Sequence, residues 1–238
     1  MKKQTHTNLE YSGLDELLNT EVMKNYNNFI VSMALKYAPK TNTVIDFGAG
    51  IGTLSLIFRD KFNIQPLCVE IDMVCKSHLE KRGFAIVGGL SKIEEKVDLI
   101  FSSNVLEHIE DDVLVLSEMK NQLSEGGKIC LYLPARMRLW SKLDEAVGHY
   151  RRYEYAELKE KCKQAGLTIE RLHFADSLGF FASYAMKLFG YNKDSGIGSA
   201  ASMRFYDKWL LPLSIALDNV GFKYLFGKNI VLVAHKAI

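Results

Sequence analysis

The sequence has little cysteine and proline and no marked excess of charge of either sign. Four cysteines and four prolines occur in 238 residues, and the formal net charge is +2. No two cysteines have the C-x-x-C spacing of a zinc or redox motif. The cysteines therefore predict neither a zinc site nor a redox-active site. We expect four reduced, structural cysteines, as is usual in the cytosol: Cys68, Cys75, Cys130 and Cys162. The balanced charge does not favour a nucleic-acid-binding role.

Long hydrophobic runs are also missing. The first six residues are polar and do not resemble the start of a signal peptide. The longest apolar stretch near the C-terminus, residues 209–217, has about half the length that a membrane span needs. These absences predict a soluble cytoplasmic protein, for which contact with a membrane surface is left open but not favoured.

What the sequence does contain is an alternation of short apolar runs with helical patterns. Runs rich in β-branched and apolar residues alternate with segments whose apolar residues recur at helical spacing, and Gly126-Gly127 is expected to end the helix at about 112–123. Such alternation predicts an α/β fold with a mainly parallel sheet covered by helices on both faces. The predicted strands lie at residues 43–47, 67–70, 84–87, 97–101, 128–133, from 167 onwards and at 230–234.

The length and the continuous pattern predict a single domain over residues 1–238. We divide it into an N-terminal helical cap and a cofactor-binding core, with two acceptor-side insertions and a final strand. The corresponding ranges are 1–40, 41–175, 134–153 with 176–227, and 228–238.

A glycine-rich turn follows the first predicted strand, in the segment Asp46-Phe47-Gly48-Ala49-Gly50-Ile51-Gly52. Glycines there admit positive φ angles and the close approach of a nucleotide-like ligand, while the following helix start favours an anionic group. Asp46 then suits a ligand ammonium group. Glu70, at the end of the second strand, suits two ribose hydroxyls. The alternative interpretation is a plain tight turn beside a surface glutamate.

Four segments in sequence order resemble the motifs of class I S-adenosylmethionine-dependent methyltransferases: residues 44–52, 69–72, 103–109 and 123–127. The resemblance implies a Rossmann-like seven-stranded sheet whose last strand, residues 230–234, is antiparallel, with S-adenosylmethionine as cofactor. The cofactor-binding residues that it implies, together with the turn analysis, are Asp46, Phe47, Gly48, Ala49, Gly50, Gly52, Glu70, Ile71, Asn104 and Val105.

The sequence departs from that family after the third strand. Many members have an aspartate there that contacts adenine, whereas this chain has Val87-Gly88-Gly89-Leu90-Ser91. Adenine would then be held by backbone groups or by Ser91. A narrower resemblance, carried by residues 133–135, 143–144 and 148–153, is to a bacterial branch of these enzymes and implies a glycan or lipid-linked acceptor.

Candidate acceptor-side residues lie in the segment after the fifth strand. His149 is the leading candidate for a general base, because histidine titrates near neutrality, although it could instead brace the insertion. Asp144 could orient His149 or cap a helix. His108 is a further catalytic candidate, with a supporting structural role as its alternative. Three residues are assigned to the acceptor: Tyr150, Arg151 and Arg152.

Several alternatives stay open at this point. Arg151 and Arg152 could bind an anionic acceptor group or pair with neighbouring carboxylates. The spacing of Cys, His and Asp predicts no metal site. The favoured function is methyl transfer from S-adenosylmethionine, with oxygen as the expected acceptor atom. A nicotinamide-dependent oxidoreductase, whose glycine pattern would continue to the position of Thr53, and a non-catalytic binding protein are the rivals.

Overall fold

A computed structural model describes residues 14–189 and 199–236. The parts of the predicted helical cap, acceptor-side insertion and final strand at 1–13, 190–198 and 237–238 lie outside these residues. The predicted division into a cap, a core and insertions stays a prediction.

The centre of the structure is a seven-stranded sheet in the order β3-β2-β1-β4-β5-β7-β6. Strands β1 to β5 are mutually parallel, whereas β7 pairs antiparallel with both β5 and β6. This confirms the predicted Rossmann-like sheet with an antiparallel last strand. The strands are β1 Val44–Phe47, β2 Leu67–Val69, β3 Ile86–Val87, β4 Val97–Ser103, β5 Leu123–Pro134, β6 Leu167–Ala175 and β7 Asn229–Lys236.

Helices connect the strands and cover both faces of the sheet. A π-helical turn at Tyr206–Leu210 joins two of them, and short 3₁₀ turns occupy several loops. The α-helices are α1 Leu14–Thr20, α2 Lys24–Tyr37, α3 Thr53–Phe62, α4 Met73–Lys81, α5 Asp112–Gln122, α6 Lys142–Ala146, α7 Tyr155–Gln164, α8 Ser177–Phe189, α9 Ala200–Phe205 and α10 Leu211–Asn219.

The central strands form a core because both of their faces are apolar. Successive residues of β5 alternate between two buried clusters: Leu131 packs with α5 and α7 residues, and Tyr132 packs with the cluster around α2. A strand buried on both faces has a continuous apolar sequence, which is why β4, β5 and β7 were visible as apolar runs.

Local signals set the helix ends near the cofactor side. Asp72 accepts a hydrogen bond from the amide of Cys75 and so caps α4, and Gly83 follows the helix in a left-handed conformation. α3 begins after Gly52 and ends before Asn63, both of which have positive φ angles. These ends place the starts of α3 and α4 at the carboxyl edge of the sheet, where ligands of such folds bind.

The prediction that Gly126-Gly127 ends the helix before β5 is wrong. α5 ends at Gln122, and β5 begins with Leu123. The pairing register between β4 and β5 shifts between residues 97 and 99, so the two glycines lie in an irregular first part of the strand. A Cβ atom at Gly127 would lie 2.8 Å from the carbonyl oxygen of Val97, which explains why this position is a glycine.

Two further expectations concern redox state and membrane insertion. All four cysteines are buried and unbonded to one another. Across residues 14–189 and 199–236, none of the helices combines the length and the apolar content that a bilayer crossing requires.

Candidate active site

The predicted glycine turn connects β1 to α3 at the carboxyl edge of the sheet. Gly48, Gly50 and Gly52 all have positive φ angles, between 54° and 86°, which L side chains adopt at a cost. A Cβ atom at Gly48 would lie 2.3 Å from Cγ2 of Val105, and one at Gly52 would lie 2.7 Å from Leu79. The turn therefore requires glycine for its backbone conformation and for close packing at two of its three glycine positions.

Most amides of the turn already donate hydrogen bonds within the protein. Gly48 and Ala49 donate to the carbonyl of Val69, at 2.8 and 3.2 Å, and Gly52 donates to Ala49. Gly52 provides no side-chain cap for α3, and the first amides of a helix have no intrahelical acceptor. The helix start, rather than the amides of the glycines, is thus the part of the turn suited to an anionic group.

Glu70 lies opposite the turn, as expected for a residue at the end of β2. Its Oε2 accepts the Gly50 amide at 2.7 Å, and its Oε1 accepts the amides of Ile71 and Asp72 at 2.7 and 2.9 Å. A carboxylate has about four acceptor positions, so three are used. Ile71 exposes 78% of its surface, which leaves an apolar side chain beside the carboxylate.

Asp46 is almost completely buried below the turn, and Phe47 is half-buried. Oδ2 of Asp46 accepts a hydrogen bond from Ser55 of α3 at 2.5 Å. Burial raises the pKa of Asp46 to about 7, and the nearby Glu70 charge acts in the same direction. A cationic ligand group would favour the ionised form of this carboxyl.

The segment after β4 meets the same turn from the other side. Val105 packs beneath Gly48. Asn104 is exposed, has a positive φ of 53° and donates its amide to the Tyr132 carbonyl at 2.8 Å. Both residues follow β4, which pairs with β1, and they therefore lie next to the turn, where the resemblance places the cofactor. The 87–91 stretch provides an exposed Ser91 and a buried Leu90, and its contact with adenine stays a prediction.

The two ends of the insertion between β5 and α7 are hydrogen-bonded to each other, and Asp144 makes contacts within it that stabilise it. Tyr153 donates its amide to Pro134, and Arg136 donates its amide to Tyr153, so the two ends of the insertion pair with each other. Asp144 forms a capping box with Ser141 at the start of α6 and also contacts Nδ1 of His149 at 2.9 Å. Both alternatives that the sequence left open for Asp144, the cap and the contact with His149, are present.

Arg152 makes a two-pronged ion pair with Asp144, at 2.8 and 3.2 Å. Burial acts to raise the pKa of Asp144, but the hydrogen bond to His149 and the charge of Arg152 outweigh it and hold the pKa at about 2. Arg151 pairs with the buried Asp112 at 2.5 Å and donates to the carbonyl of Glu110. Both guanidinium groups are therefore engaged with carboxylates of the chain, and their predicted contact with an acceptor stays a prediction.

The side chains of Glu107, His108 and His149 lie close together, although about forty residues separate the first two from the third. Tyr150 donates its amide to the Glu107 carbonyl at 2.7 Å, which holds the insertion against the turn after β4; its own ring is exposed. Nε2 of His149 lies 3.8 Å from Oε1 of Glu107, and the His108 and His149 rings lie 4.6 Å apart. No metal site is predicted from residue spacing, yet one possible ligand atom from each of Glu107, His108 and His149 lies within 4.8 Å of the other two.

Burial shifts the pKa values of two members of this cluster. Glu107 is fully buried, and burial raises its pKa to about 8. Burial and the neighbouring His149 lower the pKa of His108 to about 4. Glu107 is not among the site residues predicted from the sequence, and the signal that could have indicated it is its place directly before His108 at the carboxyl end of β4.

A second polar group at this edge was missed by the sequence analysis. Lys228 lies 3.4 Å from Asp176, with its ammonium near the rings of Tyr26 and Tyr206. Asn229 links this group to Asn104, at 3.5 Å between the two side chains. These residues come from β6, β7, α2 and the π-helical turn, so no local sequence pattern joins them.

Comparison with known proteins identifies the family. The family model described as "Methyltransferase domain" matches residues 20–172. The malonyl-[acyl-carrier protein] O-methyltransferase of Hamiltonella defensa is 27% identical over 134 residues, which are 52% of this chain and 52% of that protein. The chain thus spans about half the length of this curated relative.

Two solved structures show the same fold. A SAM-dependent methyltransferase from Archaeoglobus fulgidus superposes with a TM-score of 0.58 at 18% identity, covering 93% of this chain and 99% of that one. Mitomycin 7-O-methyltransferase superposes with a TM-score of 0.57 at 15% identity, covering 94% of this chain and 57% of that one.

The matched family model spans the glycine turn, Glu70, the segment after β4 and the whole insertion. Membership of this family favours methyl transfer over the nicotinamide-dependent oxidoreductase and the non-catalytic protein that the sequence left open. The chain therefore belongs to the methyltransferase-domain family, and its fold is that of S-adenosylmethionine-dependent methyltransferases.

Proposed function

We propose that this chain transfers the methyl group of S-adenosylmethionine to an oxygen atom of a small-molecule, glycan or lipid-linked acceptor. In this proposal His149, oriented by Asp144, activates that oxygen. The observation that carries the proposal is the contact of 2.9 Å between Nδ1 of His149 and Asp144. This pair and the glycine turn lie at the same edge of the sheet. Transfer to a neutral hydroxyl requires removal of its proton, and a positioned histidine is the usual side chain for that task.

The cofactor side of the proposal assigns a role to each predicted residue. The bare turn of Gly48, Gly50 and Gly52 accommodates the methionine part, with its carboxylate at the start of α3. Asp46 faces the ammonium group, and Glu70 accepts a ribose hydroxyl at the acceptor position that the three backbone amides leave open. The remaining positions, Phe47, Ala49, Ile71, Asn104 and Val105, line the cofactor, and the exposed Ile71 packs against adenine.

The acceptor side assigns catalysis to His149, Asp144 and His108. Nδ1 of His149 is occupied by Asp144, which leaves Nε2 as the nitrogen that serves the acceptor. Because Asp144 is also fixed by Arg152 and Ser141, the imidazole has little freedom to rotate. We assign Tyr150, Arg151 and Arg152 to the acceptor side, where Tyr150 is the exposed member of the three.

A lipid-linked acceptor is favoured by the surface next to the insertion. α8 packs on the 3₁₀ turn at residues 137–139, through Lys187 and the carbonyl of Arg138 at 2.8 Å. This helix exposes Phe181, Tyr184 and Leu188. An exposed apolar surface beside an active site suits an acceptor with an apolar portion.

The curated relative indicates a second oxygen class to test. Its name assigns it to malonyl groups on an acyl-carrier protein, and the acceptor oxygen of a malonyl group belongs to a carboxylate. A carboxylate is already ionised at neutral pH and needs no base. The Asp144–His149 pair therefore favours a hydroxyl acceptor over a carboxylate acceptor.

The test is methyl transfer from radiolabelled S-adenosylmethionine to a panel of phenols, glycans, lipid-linked sugars and malonyl-acyl-carrier protein. With a hydroxyl acceptor, His149→Ala should lower kcat by about 100-fold or more, within the range for loss of a general base. Affinity for S-adenosylhomocysteine, measured by titration calorimetry, should not change.

The matched control is His235→Ala, because His235 lies on β7 opposite the first part of β5, at the other edge of the sheet. It should retain full activity. Products methylated at nitrogen or carbon, or a His149→Ala variant as active as the His235→Ala variant on its hydroxyl acceptor, would contradict the proposal.

A further inference from the structure

The side chains of Glu107, His108 and His149 form a compact group on two different elements. Glu107 and His108 lie in the 3₁₀ turn after β4, and His149 follows α6 in the insertion. One possible ligand atom from each lies within 4.8 Å of the other two. Two imidazoles with one carboxylate form a donor set typical of zinc and related transition metals.

Glu107 gives the group an unsatisfied carboxyl. It is fully buried, and among residues 14–189 and 199–236 neither of its oxygens has a hydrogen-bond partner. A buried polar group without a partner is destabilising by about 1–3 kcal/mol, and native proteins contain few of them. Oε1 faces Nε2 of His149 at 3.8 Å, so the unsatisfied oxygen is directed into the group.

The other nitrogens of the two histidines are held as they are in metal sites. Nδ1 of His149 contacts Asp144 at 2.9 Å, and the ring of His108 bonds to the backbone carbonyls of Gly148 and Val147. Histidine ligands commonly use their second nitrogen in this way, which fixes the tautomer and the ring orientation. Asp144 is in turn fixed by Arg152.

We propose that Glu107, His108 and His149 bind a divalent transition-metal cation of the zinc type. Ligand atoms about 2.0–2.1 Å from a tetrahedral zinc lie about 3.4 Å apart. The group would therefore contract by about 0.4 Å between His149 and Glu107. Three protein ligands leave a fourth position for water or for an acceptor oxygen.

The role in catalysis rests on the proposed function, whereas cation binding does not. An acceptor hydroxyl on the cation would release its proton to solvent water more easily, because a bound cation stabilises the negative charge that develops on the oxygen. His149 would then activate the acceptor as a ligand of the cation through Nε2, in place of accepting the proton itself. The cation also would join the turn after β4 to the insertion.

The experiment uses the full chain without a histidine tag, from which a chelator has removed bound metal. Zn²⁺ binding is measured by titration calorimetry, and metal content by inductively coupled plasma mass spectrometry. We expect one equivalent of Zn²⁺ per chain. Glu107→Gln and His149→Ala should each weaken binding by more than about 100-fold, and Asp144→Asn by about 10–100-fold, as for loss of an outer partner. His235→Ala should bind Zn²⁺ as the unchanged chain does.

Affinity for S-adenosylhomocysteine, measured on the same samples, reports whether each variant is folded. An unchanged chain that binds the cofactor product but no Zn²⁺ would overturn the metal site and leave the proposed function intact. Equal Zn²⁺ affinity in the unchanged chain, Glu107→Gln and His149→Ala would overturn it as well. Zn²⁺ binding without methylation of any oxygen acceptor would instead count against the proposed function.

Discussion

The cofactor side and the acceptor side of this site are built from different parts of the chain. On the cofactor side, backbone conformation determines the geometry: three glycines with positive φ angles pack against Val105 and Leu79. On the acceptor side, side chains determine it, because Asp144 holds a cation within the insertion and Asp112 holds two cations about forty to fifty residues away. The comparison teaches that a backbone-built site leaves a complete local sequence pattern, whereas a side-chain-built site shows only some of its contacts in the local sequence.

The largest expected effect comes from breaking the acceptor side at Asp112. This carboxylate is buried and contacts Arg151, Tyr153 and Lys161 at 2.5–2.8 Å. Asp112→Ala should lower the free energy of unfolding by about 3 kcal/mol, because it removes the buried carboxylate that pairs with the partly buried Arg151 and Lys161. Urea unfolding measures this loss.

Asp60→Ala is the matched control, since Asp60 forms an exposed pair with Arg59. Exposed pairs contribute at most about 1 kcal/mol. An Asp112→Ala variant as stable as Asp60→Ala would show that the acceptor side does not depend on its ion pairs.

The second effect breaks the cofactor side at Gly48. Gly48→Ala combines a φ of 73° with a Cβ only 2.3 Å from Val105, and strain of this kind costs about 1–3 kcal/mol. We expect affinity for S-adenosylhomocysteine to fall by up to about 100-fold, as measured by calorimetry. Gly126→Ala, in the first part of β5, has a similar φ of 74° but a Cβ there meets nothing within 4 Å, so it should retain its affinity.

The double variant Gly48→Ala/Val105→Ala tests the cause. Partial recovery of stability relative to Gly48→Ala is expected, because the clash is removed while the backbone strain stays. Full recovery, or none, would assign the effect of Gly48 to one cause alone.

The third effect concerns the pH dependence of stability on the cofactor side. The pKa of Asp46 is raised to about 7 in the folded protein, from its ordinary value of 3.8. Between these two pH values the unfolded chain releases this proton while the folded chain keeps it, so rising pH favours unfolding through this group. The slope is at most about 1.4 kcal/mol per pH unit, and the loss levels off above about pH 7.

Asp46→Asn removes the titrating group, so the difference in unfolding free energy between it and the unchanged chain should vary with pH between about 4 and 7. Urea unfolding at several pH values without cofactor measures it. A pH-independent difference would show that Asp46 is ionised in the folded chain throughout this range.

The smallest effect sharpens the comparison at Ile71. Its side chain is 78% exposed, so Ile71→Ser should leave stability nearly unchanged. If adenine packs on it, affinity for S-adenosylhomocysteine should fall by about 10-fold, which corresponds to the burial of part of an aliphatic side chain. Leu114→Ser, also exposed but on α5, should leave both quantities unchanged; equal affinities in the two variants would remove Ile71 from the cofactor site.

The two sides also differ in how far the sequence could predict them. The seven strands, the glycine turn and the position of Glu70 follow from local patterns, since apolar runs and glycines act within a few residues. The Gly126-Gly127 prediction failed because a strand irregularity and a helix end have the same local signal. Glu107 was underrated because its burial depends on Tyr150 and His149, about forty residues away in the chain.

The sequence by itself determined the fold class and the glycine turn, because these depend on apolar periodicity and on backbone positions that exclude side chains, and the resemblance to a known family implied the antiparallel last strand. The tertiary structure alone decided which carboxylates hold Arg151 and Arg152, and that Glu107, His108 and His149 meet. Such contacts join β4, the insertion and α5 through packing, and packing between distant segments has no period in the sequence.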